Sequence, residues 1–311
     1  MRITHGIHPK ATQPGAVTIG NFDGVHLGHQ TMLQQLVATA HARQLTPCAI
    51  TFEPHPREFF TPELAPARLS NLRDKLDGLH KLGIEHVHIC RFNHTLAHMP
   101  AEQFIEQILV HGLSMRHLLI GDDFRFGAKR AGDFALLQAR SAEHGYDLSA
   151  MPSITSNGLR VSSTAVRDAL ANNQMGLAQK LLGRPYRISG HVAHGDKLGR
   201  ELGFPTANLL IKHTKLPLSG IFVVEVDGLG PKPLPAVASL GVRPTVKTAA
   251  QPLLEIHLLN FSDNLYGRII HVDFLAKLRD EEKYPDLATL TRQIQRDVAC
   301  AHDYFNHLPV A

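Results

Sequence analysis

Tryptophan is absent and tyrosine occurs only five times in 311 residues, too few stacking aromatics for a surface that reads single-stranded nucleic acid base by base. Cysteine is scarce as well. Cys48, Cys90 and Cys300 are far apart and odd in number, which argues against a disulfide framework and a CxxC metal site and leaves them as buried, reduced thiols. No run approaches the roughly 18 apolar residues of a membrane span, and the opening MRITHGIHPK leads into no apolar h-region. A cytoplasmic protein with no membrane partner is expected. Lys and Arg are spread without a dense basic run, so the net charge of +4 fits small anionic substrates as well as nucleic acid. Internal repeats and low-complexity tracts are missing too.

What remains is ordinary globular material, 43% hydrophobic and 19% charged, long enough for two domains that each bury a core. The 21 histidines share no common spacing, so most are surface or core residues without a special task. The first half alternates apolar runs with helical patterns, the mark of a parallel α/β sheet. Strands are predicted at Ala16–Gly20, Cys48–Phe52, His86–Cys90, His117–Gly121 and Asp147–Met151, with helices at Gly28–Arg43, Asn71–Leu82, Ala101–His111 and Gly132–Gly145. From Arg187 the texture changes to short alternating strands punctuated by Gly and Pro, as in Gly220–Asp227, Leu234–Leu240, Leu253–Leu259 and Arg268–Leu275. A closed β-barrel with one terminal helix, Asp286–His307, is expected. The turn around Gly183-Arg184-Pro185 divides the chain into domains 1–183 and 187–311.

Thr18-Ile-Gly-Asn-Phe-Asp-Gly-Val-His-Leu-Gly-His29 reads as strand, Gly-bearing turn and helix start. A helix N-terminus offers free N–H groups and positive dipole to phosphate. His26 and His29, three apart, share one helix face, and Gly28 leaves room for a nucleotide to approach the backbone. Taken alone the pair also reads as surface histidines, or as part of a zinc site whose third ligand has no persuasive candidate. The string resembles the HxGH signature of the nucleotidylyltransferase superfamily, with Gly20, Phe22, Asp23 and Gly28 on the ATP side and His26 and His29 catalytic. Its companion, Val161-Ser-Ser-Thr-Ala-Val-Arg167, is similar to the second signature of that superfamily. The resemblance implies that Ser162, Ser163, Thr164 and Arg167 hold the ATP β- and γ-phosphates; read without it, SSTxxR is a helix cap. Phe52-Glu-Pro-His-Pro56 and Gly121-Asp-Asp-Phe-Arg-Phe-Gly127 each follow a strand end, where such sheets bind ligands. Both resemble flavin-side loops of the bacterial FAD synthetases, which puts Phe52, Pro54, His55, Asp123, Phe124 and Arg125 near FMN.

The second half opens with Gly190-His-Val-Ala-His-Gly-Asp-Lys-Leu-Gly-Arg-Glu-Leu-Gly-Phe-Pro-Thr-Ala-Asn208. Gly190 and Gly195 have P-loop separation, but Asp196 stands where Lys should, so this is no P-loop. The string resembles the riboflavin kinase signature, which implies an ATP loop of Gly190, Gly195, Lys197, Gly199 and Arg200. Thr206 and Asn208 alternate with Ala207 and so face the same way, and two neutral oxygens suit Mg2+. Glu255 lies inside the apolar strand Leu253–Leu259; by itself it is either a poised carboxylate or an exposed alternation residue, and the resemblance makes it the base for the riboflavin 5′-hydroxyl. Arg279 is expected to face the nucleotide or flavin phosphate. Ser239 stands where many relatives carry Asn.

The likeness spans almost the whole chain and is to the bifunctional bacterial FAD synthetases. It implies an α/β plus β architecture, a doubly wound parallel-sheet nucleotidylyltransferase domain followed by a riboflavin-kinase-like barrel. The implied activity is ATP-dependent conversion of riboflavin to FMN, then of FMN to FAD, in a magnesium-dependent monomer or weak homo-oligomer. An adenylyltransferase for another phosphorylated substrate, with a non-catalytic barrel, is the rival enzyme reading. A nucleic-acid-binding barrel is the rival from another class.

Overall fold

The computed structural model describes residues 1–6, 11–156, 158–195, 198–211, 213, 215–243 and 251–307. Two compact units emerge: Met1–Pro66 with Lys75–Ser162, the sheet unit, and Ala67–Asp74 with Ser163–Ala311, the barrel unit. Among the described residues no helix is long and apolar enough to cross a membrane.

In the sheet unit the strands are β1 (Arg2–His5), β2 (Gly15–Ile19), β3 (Thr46–Glu53), β4 (His86–Arg91), β5 (Met115–Gly121) and β6 (Asp147–Met151), followed by a small hairpin, β7 (Thr155–Ser156) and β8 (Leu159–Arg160). The six are ordered β1-β4-β3-β2-β5-β6, and every pairing is parallel. All five expected strands are present with small shifts at their ends. β1 is a sixth, unforeseen because it is short, polar and largely exposed. β2 is buried along its whole length, and chain order reverses between β2 and β5, which makes their carboxyl ends the place where a doubly wound sheet opens a crevice.

The crossovers are α1 (Leu27–Ala42), α2 (Pro56–Phe60), α3 (Leu72–Lys81), α4 (His94–Ala97), α5 (Ala101–Gln103) and α6 (Phe134–His144). On α1, Leu33, Leu36 and Ala40 recur at helical spacing and are fully buried. α5 runs on as a π-helix over Phe104–Gly112, which puts Phe104, Ile105, Ile108 and Leu109 into the core. An apolar pattern predicts a helix here but not that wider winding.

The barrel unit begins with α7 (Ser163–Ala171) and α8 (Met175–Leu182) and continues as β9 (Tyr186–Ala193), the short α9 (Leu198–Glu201), β10 (Ala207–Leu210), β11 (Gly220–Asp227), β12 (Leu234–Arg243), β13 (Gln251–Leu258), β14 (Ile269–Arg279) and α10 (Leu287–Asn306). The barrel closes in the order β10-β13-β12-β11-β14-β9, with antiparallel pairings throughout. Strand alternation divides its apolar residues. Phe222, Val224, Ala236, Ala238, Leu254, Ile256, Ile270 and Val272, none measurably exposed, fill one face. Ile221, Val223 and Val237 pack with Ala301, Val298 and Tyr304 of α10 on the other. α10 starts where the Asp286 carboxylate accepts from Thr289 N–H at 2.6 Å.

Candidate functional sites

Gly20 follows β2 and leads into a tight turn in which Phe22, Gly24 and Val25 have φ of 47°, 85° and 44°. Phe22 was expected beside ATP, yet its side chain is 0% exposed. It lies under Gly20, where a Cβ would come within 3.0 Å of its ring, and meets His29 edge-on at 5.2 Å. Phe22 therefore braces the turn from the core. Asp23 is buried in the same turn.

His26 caps α1: its Nδ1 accepts from His29 N–H at 3.3 Å. That lone pair being engaged, a neutral His26 carries its proton on Nε2 and is a donor there. The two rings stack with centroids 3.7 Å apart. His29 Nδ1 is buried without a hydrogen-bond partner. Burial, with His26 and then Lys75 adding repulsion, holds the His29 imidazole well below its ordinary pKa of 6.5 and hence neutral. Gly28 serves this geometry, since a Cβ would sit 3.3 Å from the His26 ring and 3.6 Å from the Val161 carbonyl. The HxGH turn thus lies against the residue that opens the second signature.

Ser163 begins α7, with Thr164 exposed on its first turn, and Arg167 Nε donates to the Ala67 carbonyl at 2.6 Å. Ser162 and Ser163 both have partners. Lys75, passed over in the sequence, is 3% exposed and donates to Thr51 Oγ1 at 3.3 Å. The legible signal was a lysine one helical turn before the buried Leu79 of α3.

At the carboxyl ends of β2, β3 and β5 a cavity of about 880 Å³ is lined by Gly20, Phe52, His55, Asp123, Phe124 and Arg125. Those six were expected at a nucleotide–flavin site, and the structure brings them together. Pro54 is exposed and outside the lining; the buried His26 and the half-buried His29 are also outside it. Phe60 and Phe92, 5.5 Å apart, extend the aromatic wall, and Arg57, Lys129 and Arg130 add cations. His55 is also the capping-box residue of α2, its Nδ1 accepting from Arg57 N–H at 3.1 Å. Asp123 is paired with Arg160 at 2.6 Å.

In the barrel unit, β13 pairs Glu255 with Asn208 of β10 and with Ser239 of β12. Directly opposed residues share a face, so Asn208, Glu255 and Ser239 form a row across three strands. Leu254 and Ile256 occupy the opposite face, which resolves the position of a carboxylate in an apolar strand: it looks toward α10. There a cavity of about 310 Å³ is lined by Gly199, Thr206, Ser239, Glu255, His257 and Arg279, with Ile294 and Val298 from α10.

Asn208 is 6% exposed and its Oδ1 is buried without a partner. Gly195 lies on this amide, where a Cβ would be 2.4 Å from Asn208 Nδ2; one at Gly199 would be 2.5 Å from the Phe204 carbonyl and 3.4 Å from Thr206 Oγ1. Gly195 is therefore required by its close approach to the Asn208 amide, and Gly199 by its close approach to the Phe204 carbonyl. Arg200 is exposed on α9. Gly190, expected in the phosphate loop, instead pairs with Ile270 inside β9 and belongs to the barrel wall. Lys197, Asp196 and the stretch 244–250 lie outside the described residues.

Arg279 lines the cavity, but Nε and Nη2 are engaged by the Asp297 carboxylate at 3.0 and 2.7 Å and Nη1 by the Asp280 carbonyl at 2.9 Å. Its expected pairing with a ligand phosphate is pre-empted by this ion pair, which also raises its pKa. Asp297, 5% exposed on α10, went unnoticed because an acid on a polar-faced helix carries no local mark. Among the described residues no group of three or more His, Cys, Asp or Glu is arranged to hold a metal.

Comparison with known proteins agrees with both halves. The FAD synthetase family model matches residues 8–165 and the riboflavin kinase model residues 182–305. The bifunctional riboflavin kinase/FMN adenylyltransferase of Escherichia coli strain K12 is 47% identical over 98% of each chain. The protein of the same name from Haemophilus influenzae is 46% identical over 98% of this chain and all of its own. A crystal structure from Streptococcus pneumoniae, described as a macrolide-efflux protein, superposes with a TM-score of 0.80 at 25% identity, covering 97% of this chain and 99% of that one. With two successive family matches and that full-length identity, the chain belongs to the bifunctional riboflavin kinase/FMN adenylyltransferase family.

Proposed function

We propose that the chain makes FAD from riboflavin in two ATP-dependent steps, phosphorylation in the barrel at 187–311 and adenylylation in the part spanning 1–183. In the first step the riboflavin 5′-oxygen attacks the γ-phosphorus, ADP leaves, and Glu255 takes the hydroxyl proton. In the second an FMN phosphate oxygen attacks the α-phosphorus and pyrophosphate leaves. No covalent enzyme intermediate is needed, because the nucleophile comes with the substrate.

The observation that carries the kinase half is the row of Asn208 and Glu255 on one barrel face, with Thr206 in the same cavity as Glu255. Asn208 Oδ1, buried without a partner, fits a divalent cation as a third group: Thr206 and Asn208 would hold Mg2+, which supplies charge neutralisation at the ATP phosphates. Gly195, Lys197, Gly199 and Arg200 would lie against those phosphates. In the other half, His26 through Nε2 and the neutral ring of His29 would meet the α-phosphate at the helix start. Ser162, Ser163, Thr164 and Arg167 would take the outer phosphates. Phe52, Phe124 and Arg125 would receive FMN. Cytoplasmic location and a monomeric or weakly associating chain complete the proposal.

Incubating the pure protein with riboflavin, ATP and Mg2+ and separating the flavins by chromatography tests it. FMN followed by FAD is expected, and neither forms without Mg2+. Accumulation of FMN alone would remove the second activity, and no FMN at all would remove the first.

A further inference from the structure

The segment that delivers Thr206 to the barrel cavity is tied down at several points. Phe204 N–H donates to the Gly199 carbonyl at 2.7 Å, closing the turn after α9. On β13, two residues past Glu255 and therefore on the same face, His257 places Nδ1 2.9 Å from the Pro205 carbonyl. A carbonyl oxygen only accepts, so Nδ1 holds the proton and donates. The same ring meets Phe204 edge-on, with centroids 5.4 Å apart at 80°. The Pro205 carbonyl and the Thr206 N–H belong to one planar peptide unit. Holding its oxygen therefore sets the direction in which the chain enters Thr206. His257, Thr206 and Glu255 line one cavity, so the strand that carries Glu255 also fixes the loop that carries Thr206.

We propose that His257 is a positioning residue for the kinase reaction, setting the Thr206 hydroxyl relative to Glu255 through its hydrogen bond to the Pro205 carbonyl. This rests on the assignment of Thr206 and Glu255 to the kinase site. A shift of a metal-ligand hydroxyl by a fraction of an ångström reaches the rate through misalignment of the phosphates, so the effect falls on kcat and on metal saturation.

The test uses the full chain as wild type, His257→Ala, His257→Asn and His257→Gln. The Asn amide nitrogen is as many bonds from the backbone as imidazole Nδ1, whereas that of Gln is one bond further. His257→Ala should lower kcat for riboflavin phosphorylation about 10-fold and raise the Mg2+ concentration for half-maximal rate, with FMN adenylylation unchanged. Deuterium uptake in the peptide spanning 199–208, measured without nucleotide or metal, should quicken. His257→Asn should restore rate, Mg2+ dependence and slow uptake, and His257→Gln should not. An Asn variant as impaired as the Ala variant, or an Ala variant with wild-type uptake, would overturn the proposal while leaving the kinase assignment in place. A wild-type chain that fails to phosphorylate riboflavin would remove that assignment and the proposal with it.

Discussion

The cavities of the two units differ in the sign of the charge that lines them. At the strand ends of the sheet unit Arg57, Arg125, Lys129 and Arg130 surround a space whose lining acid, Asp123, is paired with Arg160. Beside the barrel the lining acids are Glu255, Glu281, Glu282 and Asp297, and the guanidinium of Arg279 is committed to Asp297. A cationic crevice attracts an anion such as FMN directly. An acidic one suits a neutral alcohol beside a base, and tolerates ATP only with a divalent cation between carboxylates and phosphates. On the proposed reading, fixed cations in the sheet unit would meet the FMN phosphate, whereas the acidic barrel site would accept ATP through a divalent cation.

The contrast is broken most directly at Glu255. Glu255→Gln should reduce riboflavin phosphorylation by about 10²- to 10⁴-fold, the range for losing a positioned base, and leave FMN adenylylation at the wild-type rate when each step is assayed alone. Equal losses would mean that the two sites do not act separately. The mirror experiment is His26→Ala, expected to cost adenylylation about 10²- to 10³-fold and phosphorylation nothing. Since His26 is also an N-cap, whose removal costs about 1 kcal/mol, His26→Asn separates the roles. Asn caps well but lacks the Nε2–H, so it should restore stability and remain inactive.

These residues were legible because each stands in a local pattern with a geometric consequence. Strand, turn and helix around His26 and His29 follow from a short apolar run, a glycine turn and helical spacing, and the even–odd alternation of β13 places Glu255 away from Leu254 and Ile256. Where the outcome depends on packing, the local pattern is misleading. Phe22 looks like a nucleotide contact until its burial beneath Gly20 is seen. Gly190 looks like a loop glycine until β9 closes the barrel through it. Asp297 and His257 acquire meaning only through Arg279 and Pro205, 18 and 52 residues away in sequence, and β1 is held by side chains from β4 rather than by its own apolar pattern.

A smaller effect sharpens the metal side of the comparison. Gly195→Ala would place a Cβ 2.4 Å from Nδ2 of the buried Asn208 amide, which is too short a side chain to move aside without turning Oδ1. Phosphorylation should fall about 10-fold, on the scale of a displaced positioning group. Raised Mg2+ should recover part of the rate, and adenylylation should stay constant. Kinetics at several Mg2+ concentrations check this, and a loss insensitive to Mg2+ would take Asn208 out of the metal's reach.

The smallest effect on activity at neutral pH concerns stability, where the buried histidines of the sheet unit and the buried carboxylates of the barrel unit respond to acid with opposite sign. His88 is buried between β1 and β3; its Nε2 faces the Gly6 carbonyl at 3.1 Å and its Nδ1 the Thr4 hydroxyl at 2.9 Å. The carbonyl requires Nε2–H, so Nδ1 accepts from Thr4, whose oxygen in turn accepts from His86 Nε2–H at 2.8 Å. Burial, reinforced by His86 and His5 against the Gly6 bond, lowers the His88 pKa from 6.5 to about 4. Burial also depresses His86 and His117. The folded sheet unit therefore binds fewer protons than its unfolded chain below pH 6.5, and loses roughly 3 kcal/mol through His88 as pH falls toward 4. In the barrel unit burial raises Asp74 and Glu225. Their folded forms hold protons that the unfolded chain gives up, so their contribution is largest below the ordinary carboxylate range and fades as pH rises through their folded pKa values. Brief heating at pH 5, followed by assay at pH 7, should inactivate adenylylation before phosphorylation. His88→Gln should flatten the pH dependence of the first loss and leave that of the second unchanged.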